Sequence, residues 1–162
     1  LFGADLTGAD LAGCDLEGAN LDRATLTNTD LSNANLRGAS IRRPSIYTSM
    51  TPDAAEAPNF QGADLERAWL EGVFDYSDFT GANLTDARFG ALNPQDSQGI
   101  IRGPILRGAK FVEANLKGAV LEGAKQQNAD LTRTVFRDAS LRDVNLSSAH
   151  SDGTDWTNAV VR

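Results

Sequence analysis

Few side chains in this sequence could run a reaction. His150 is the single histidine in 162 residues and Cys14 the single cysteine. A lone imidazole supplies no second acid or base, and no nucleophile sits in an elbow motif beside it, so no triad can be assembled. One cysteine and one histidine do not make a metal-binding cluster, and one cysteine makes no internal disulfide. Carboxylates are plentiful, with Asp5, Asp10, Asp15, Asp30, Asp64, Asp78 and Asp130 among them. Acid–base hydrolysis, however, needs two of them in a cleft with their pKa values pushed apart. The glycine-rich stretch "GADLTGADLAG" (residues 3–13) lacks the Lys-Ser/Thr that closes a phosphate-binding loop. These readings predict no catalytic residue, no metal and no cofactor.

What must position these residues is a repeat of five. Large apolar residues recur at Leu6, Leu11, Leu16, Leu21, Leu26, Leu31, Leu36, Ile41 and Ile46. A small residue, usually Ala, stands two before each, and Cys14 occupies one such slot. The pattern resumes with Phe60, Leu65 and Leu70, loses one residue, and continues as Phe74, Phe79, Leu84 and Phe89. A third block carries Leu106, Phe111, Leu116, Leu121, Leu131, Phe136, Leu141, Leu146 and Trp156, with Gln126 and Ser151 out of character. Five fits neither the helical period of about 3.6 nor the strand period of 2. It fits a coil with flat sides and sharp corners, four units to a rung, with rungs stacked at roughly 4.8 Å. The Asp and Asn residues before each large residue, and His150 in the same slot, then face outward. Gly8, Gly13, Gly18, Gly38 and Gly62, with Asn28, Asn33 and Asn158, fall two after a large residue, where a corner needs positive φ. Arg23, Arg43 and Arg133 share that slot, which predicts a different turn at those corners.

The units "ADLTG", "ANLDR", "ANLRG", "ADLER", "ANLTD" and "ANLKG" resemble the A-(D/N)-L-x-x signature of pentapeptide-repeat proteins. That resemblance implies an all-β fold, a right-handed quadrilateral β-helix of about seven coils with two loop insertions. We expect a single domain over 1–162, with coils at 1–46, 58–90 and 99–162 and insertions at 47–57 and 91–98. The expected core is Leu6, Leu11, Leu16, Leu21, Leu26, Leu31, Leu36, Ile41, Leu65, Phe79, Leu84, Phe111, Leu116, Leu121, Leu131, Phe136, Leu141 and Leu146. Leu1 and Phe2 would close the first rung and Trp156 plug the last. Because the chain opens at Leu1 rather than Met, we expect residues before it, and a rod end that packs on a partner, a second copy or a larger complex.

Function is then left to the surface. The net charge of −7 argues against direct nucleic-acid binding and against an anionic membrane, and no apolar run is long enough for a membrane span. The charge is uneven: residues 1–99 carry fifteen acids and six bases, residues 100–162 seven acids and nine bases. We expect a rigid, non-catalytic scaffold that offers flat polar faces and loops to a protein partner. The expected contacts are Tyr47, Met50 and Pro52 of the first insertion, Leu92, Asn93 and Pro94 of the second, and the aromatics Trp69 and Tyr76, placed on the outside. The alternative comes from the resemblance: one branch of the family mimics duplex DNA and binds type II topoisomerases such as gyrase, protecting them from quinolones. No residue selects a compartment; bacterial cytoplasm is the first expectation, thylakoid lumen and secretion the others.

Overall fold

The architecture follows from where each backbone N–H of a five-residue unit finds its acceptor. In the computed structural model, which describes residues 1–48, 53–90, 104–121, 129–141 and 144–161, four of the five find backbone carbonyls. Leu26 N–H donates to Ser45 O of the next rung (2.7 Å), Asn28 N–H to Glu56 O (2.7 Å) and Asp30 N–H back to Ala9 O of the previous rung (2.9 Å). Thr29 N–H closes the corner on Leu26 O (3.1 Å). The fifth N–H, just after the large residue, is taken by the side chain of the outward Asp or Asn: Ser32 N–H by Asp30 Oδ1 (2.9 Å), Thr80 N–H by Asp78 Oδ1 (2.9 Å). The repeat's preference for Asp or Asn thus has a backbone cause, since a short carboxylate or amide can turn back two residues along its own chain.

Rungs pair in parallel and define four faces. Face 1 joins Asp5, Thr25 and Ser45, and further along Val73 and Ile105. Face 2 runs Asp10, Asp30, Asn59, Asp78, Lys110, Asp130, His150. Face 3 runs Asp15, Asn35, Asp64, Asn83, Asn115, Val135, Asp155. Face 4 runs Asn20, Ser40, Trp69, Arg88, Val120, Ser140, Val160. Seven rungs result. Regular partners lie twenty apart, as Asp10 and Asp30 do. Asp30 instead meets Asn59, so that rung carries nine extra residues; Asn59 meets Asp78, one short; and Asp78 meets Lys110, twelve over. Strands longer than a single bridge occur, among the described residues, only on face 4: β1 (Ser40–Arg42), β2 (Trp69–Glu71) and β3 (Arg88–Phe89).

Inside, the large residues stack. Leu21, Leu26, Leu31, Leu36, Ile41, Leu65, Phe79, Leu84, Phe111, Leu116, Leu121, Leu131, Phe136 and Leu141 are each fully buried. Under face 2, Phe60, Phe79 and Phe111 form a column with ring centroids 4.9 Å apart and nearly parallel planes, the rung spacing itself. The small slot also admits Thr where its hydroxyl can reach a carbonyl one rung back: Thr29 Oγ1 donates to Leu6 O (2.8 Å), Thr134 Oγ1 to Phe111 O (2.6 Å).

Three expectations need correcting. Leu6, Leu11, Leu16 and Leu146 are only partly buried, because a terminal rung has a neighbour on one side alone. Leu1 and Phe2 do not close the first rung; both are exposed. Trp156, itself on the last rung, stacks face to face on Phe136 of the rung before at 4.9 Å. Nor do the arginine corners use another turn. Arg23, Arg43 and Arg133 have φ of 59°, 53° and 52°, and Asp86, Glu113 and Tyr76 join them at 55°, 57° and 60°. Stacking fixes the corner geometry for every rung, and residues with a β-carbon tolerate the left-handed region at a cost of about 1–2 kcal/mol each.

Candidate protein-interaction site

Two of the expected contact residues are absorbed by the fold. Trp69 stands in the outward slot of β2 but is half-buried. Its indole Nε1–H donates to Gly90 O at 2.7 Å, and the Arg42 guanidinium lies over its ring, 4.3 Å from the centroid. Arg42 thus supplies part of its cover. Tyr47 is half-buried as well and packs against the core. Met50, Pro52, Leu92, Asn93 and Pro94 lie outside the described residues, as does the second insertion.

Arg42 itself is held by a pair that the sequence reading missed. Where the outward slot holds Ser40, no carboxylate turns back to the N–H of Arg42. Asp22, one rung earlier and 3% exposed, takes that N–H instead (3.0 Å), together with Ser40 Oγ (2.7 Å) and the Arg42 guanidinium. The same substitution recurs where the slot holds Ile105: buried Asp75 accepts the Arg107 N–H (2.8 Å) and its guanidinium (2.7 Å). Burial pulls the Asp22 carboxyl upward, but the hydrogen bonds from Arg42 and Ser40 and the Arg42 charge outweigh it, leaving the group below the usual carboxylate range. The available signal was an outward slot without Asp or Asn, followed two residues on by Arg, with Asp in the matching place one rung before.

Tyr76 is different. It occupies a corner where other rungs place Gly8 or Gly108, at φ 60°, and its side chain is not drawn into the coil: the residue is 40% exposed. Its ring lies along the next rung's Gly108. A β-carbon built there would come within 2.5 Å of Tyr76 Cε1, so only glycine permits the approach. Opposite the ring stand Ala54, Ala57 and Pro58, the returning arm of the first insertion. Between them lies an open groove of about 220 Å³. Its floor is face 2, where Asp78 accepts Gln61 Nε2 at 2.8 Å and faces Lys110 Nζ at 3.6 Å. Against the upward pull of burial, the Thr80 and Gln61 hydrogen bonds and the Lys110 charge hold the Asp78 carboxyl below its ordinary value.

His150 is exposed, its Nε2 3.3 Å from the equally exposed Asp152 carboxylate, and Cys14 is half-buried in its small slot.

Comparison with known proteins fixes the lineage. The profile of Pentapeptide repeats matches the chain in eight copies, over residues 1–43, 59–90 and 106–138. The chain belongs to the pentapeptide-repeat family. Members of that family wind as right-handed quadrilateral β-helices, the hand this pentapeptide-repeat chain takes. No curated protein sequence matches it. Among solved structures it is similar to HetL, a pentapeptide repeat protein involved in heterocyst differentiation regulation from the cyanobacterium Nostoc sp. strain PCC 7120, at 28% identity and TM-score 0.33; the match covers 98% of this chain but only 62% of HetL. It is similar to full-length QnrB1, a plasmid-mediated fluoroquinolone resistance protein, at 16% identity and TM-score 0.45, over 94% of this chain and 93% of that one. A pentapeptide repeat protein of the Arabidopsis thaliana thylakoid lumen matches at 21% identity and TM-score 0.19, over 99% of this chain and 70% of that one.

Proposed function

We propose that this pentapeptide-repeat chain is a non-catalytic interaction scaffold whose docking surface is the corner around Tyr76 and the first insertion. One observation carries the reading. Tyr76 keeps its ring at the surface beside an open groove, whereas Trp69 and Tyr47 are drawn into the fold. An exposed aromatic ring at the edge of an open groove is the kind of group a partner contacts. The saturated backbone and the aromatic column beneath face 2 supply a stiff platform, so a partner orders little of this chain on binding. Quantitative capture from cells of the source organism tests it: wild type and Trp69→Phe retain a partner that Tyr76→Gly loses. A partner held equally by Tyr76→Gly ends the reading.

A second reading rests on the acid ladders. Asp10 and Asp30 on face 2 adjoin Asp15 and Asp64 on face 3, a negative strip of the kind that competes with duplex DNA for a topoisomerase. The strip is interrupted on face 2 by Lys110, which is why we place it second. Gyrase supercoiling measured with a quinolone, with and without the chain, decides it; no effect at tens of micromolar removes it.

A further inference from the structure

We propose that the groove between Tyr76 and the first insertion binds an extended, positively charged peptide segment carrying one aliphatic or prolyl side chain. This rests on the docking reading above and names the partner's chemistry. The apolar walls, Tyr76 on one side and Ala54, Ala57 and Pro58 on the other, admit a single apolar side chain and its flanking backbone. The groove opens onto face 2, which is flat and leads through Asn59 to Asp30 and then Asp10. Asp30 and Asp10 engage their own fold through Oδ1: Asp30 accepts Ser32 N–H (2.9 Å) and Asn59 Nδ2 (3.1 Å), Asp10 accepts Ala12 N–H (3.1 Å). Among the described residues none of these hydrogen bonds engages Oδ2, which is left to meet a ligand. Around the groove, Asp53 and Glu56 of the insertion add negative charge, while Lys110 is opposed by Asp78 and Arg107 by Asp75. The field therefore favours a cation.

Spacing fixes the register. Asp30 lies two rungs and Asp10 three rungs from Asp78, roughly 10 and 14 Å at the inter-strand spacing. An extended peptide advances about 3.3 Å per residue, which places basic residues about three and four positions from the apolar anchor.

The test is fluorescence anisotropy with a labelled peptide of sequence Leu-Gly-Ser-Arg-Arg flanked by glycines, against the whole chain. We expect binding that weakens as salt rises. Replacing both arginines by glutamate abolishes it, and replacing the leucine by glycine weakens it by about ten-fold. Tyr76→Gly weakens it to the same extent while its thermal midpoint does not fall, because the substitution also relieves the positive-φ corner. Tyr76→Phe binds as wild type, and Asp10→Asn with Asp30→Asn loses affinity and most of the salt dependence. The proposal is overturned if the glutamate peptide binds equally, if Tyr76→Gly leaves affinity unchanged, or if no binding appears at millimolar peptide. Self-association of the wild-type chain that Tyr76→Gly abolishes would make the occupant a second copy, which also overturns it. Loss of partner capture by Tyr76→Gly without peptide binding keeps the docking surface and rejects the peptide chemistry.

Discussion

Asp22 and Arg42 show how a residue's place in the repeat sets its energetic weight. Asp22 is almost wholly buried while Arg42 reaches solvent, its side chain 39% exposed. Removing each partner therefore differs. Arg42→Ala strands a buried carboxylate and is expected to cost about 3 kcal/mol in urea unfolding. Asp22→Asn keeps acceptors for Ser40 and the Arg42 N–H and leaves a guanidinium that water can solvate, at about 1 kcal/mol. The double variant should be more stable than Arg42→Ala alone, a sign that additivity cannot produce. Corner glycines separate in the same way. Gly13→Ala meets open space and suffers only the left-handed penalty of about 1–2 kcal/mol, whereas Gly118→Ala also drives a β-carbon into the Asp86 carboxylate. Thermal midpoints should rank wild type above Gly13→Ala and Gly13→Ala above Gly118→Ala.

At the scale of the rung, stability is set by how many neighbours a rung has. Leu31 is fully buried between rungs on both sides, and Leu11 in the first rung is partly exposed. Leu31→Ala is expected to lose about 3–4 kcal/mol and Leu11→Ala about half of that, measured by chemical denaturation. The phenylalanine column makes a sharper case. Phe79 contacts Phe60 and Phe111 face to face and Phe74 at a tilt, at 4.9, 4.9 and 6.4 Å. Phe79→Ala should cost about 3–5 kcal/mol and blunt the docking platform above it. Much of this rung-scale organisation was legible in the chain, since a period of five with a one-residue slip dictates the pairing of Asn59 with Asp78.

Across the whole molecule, acid is the informative perturbation. Asp22, Asp30, Asp78 and Asp130 titrate below their ordinary range and Asp155 at about 2, the last through Thr157 hydrogen bonds and then Arg137. Groups depressed in the folded chain add stability that is complete above the unfolded value of about 3.9 and is lost as pH falls through the folded values. The opposing effect is relief of self-repulsion as the −7 charge is neutralised. The depressed values mean that these five carboxylates are held, on balance, by favourable contacts, and their protonation sets the direction of the change. The thermal midpoint is expected to stay level from pH 7 to about 4.5 and to fall from about 4 toward 2. A midpoint that rises on acidification would show repulsion to dominate.

The sequence by itself determined the four-sided coil, the inward row of large residues and the slots that face water. A periodic local rule repeated along a chain admits a single stacking in which every rung buries its neighbour's apolar side. It did not determine which departures from the rule were structural and which were left for a partner. Trp69 and Tyr76 both read as outward aromatics, yet one is closed under Arg42 and bonded to Gly90 while the other stays open beside Pro58. Arg23 and Arg43 read as a different turn, yet they take the glycine conformation. Those outcomes depend on residues eighteen or more positions away on adjoining rungs. Only stacking brings Asp22 to Arg42, Asp75 to Arg107 and the ring of Tyr76 to the one glycine that makes room for it.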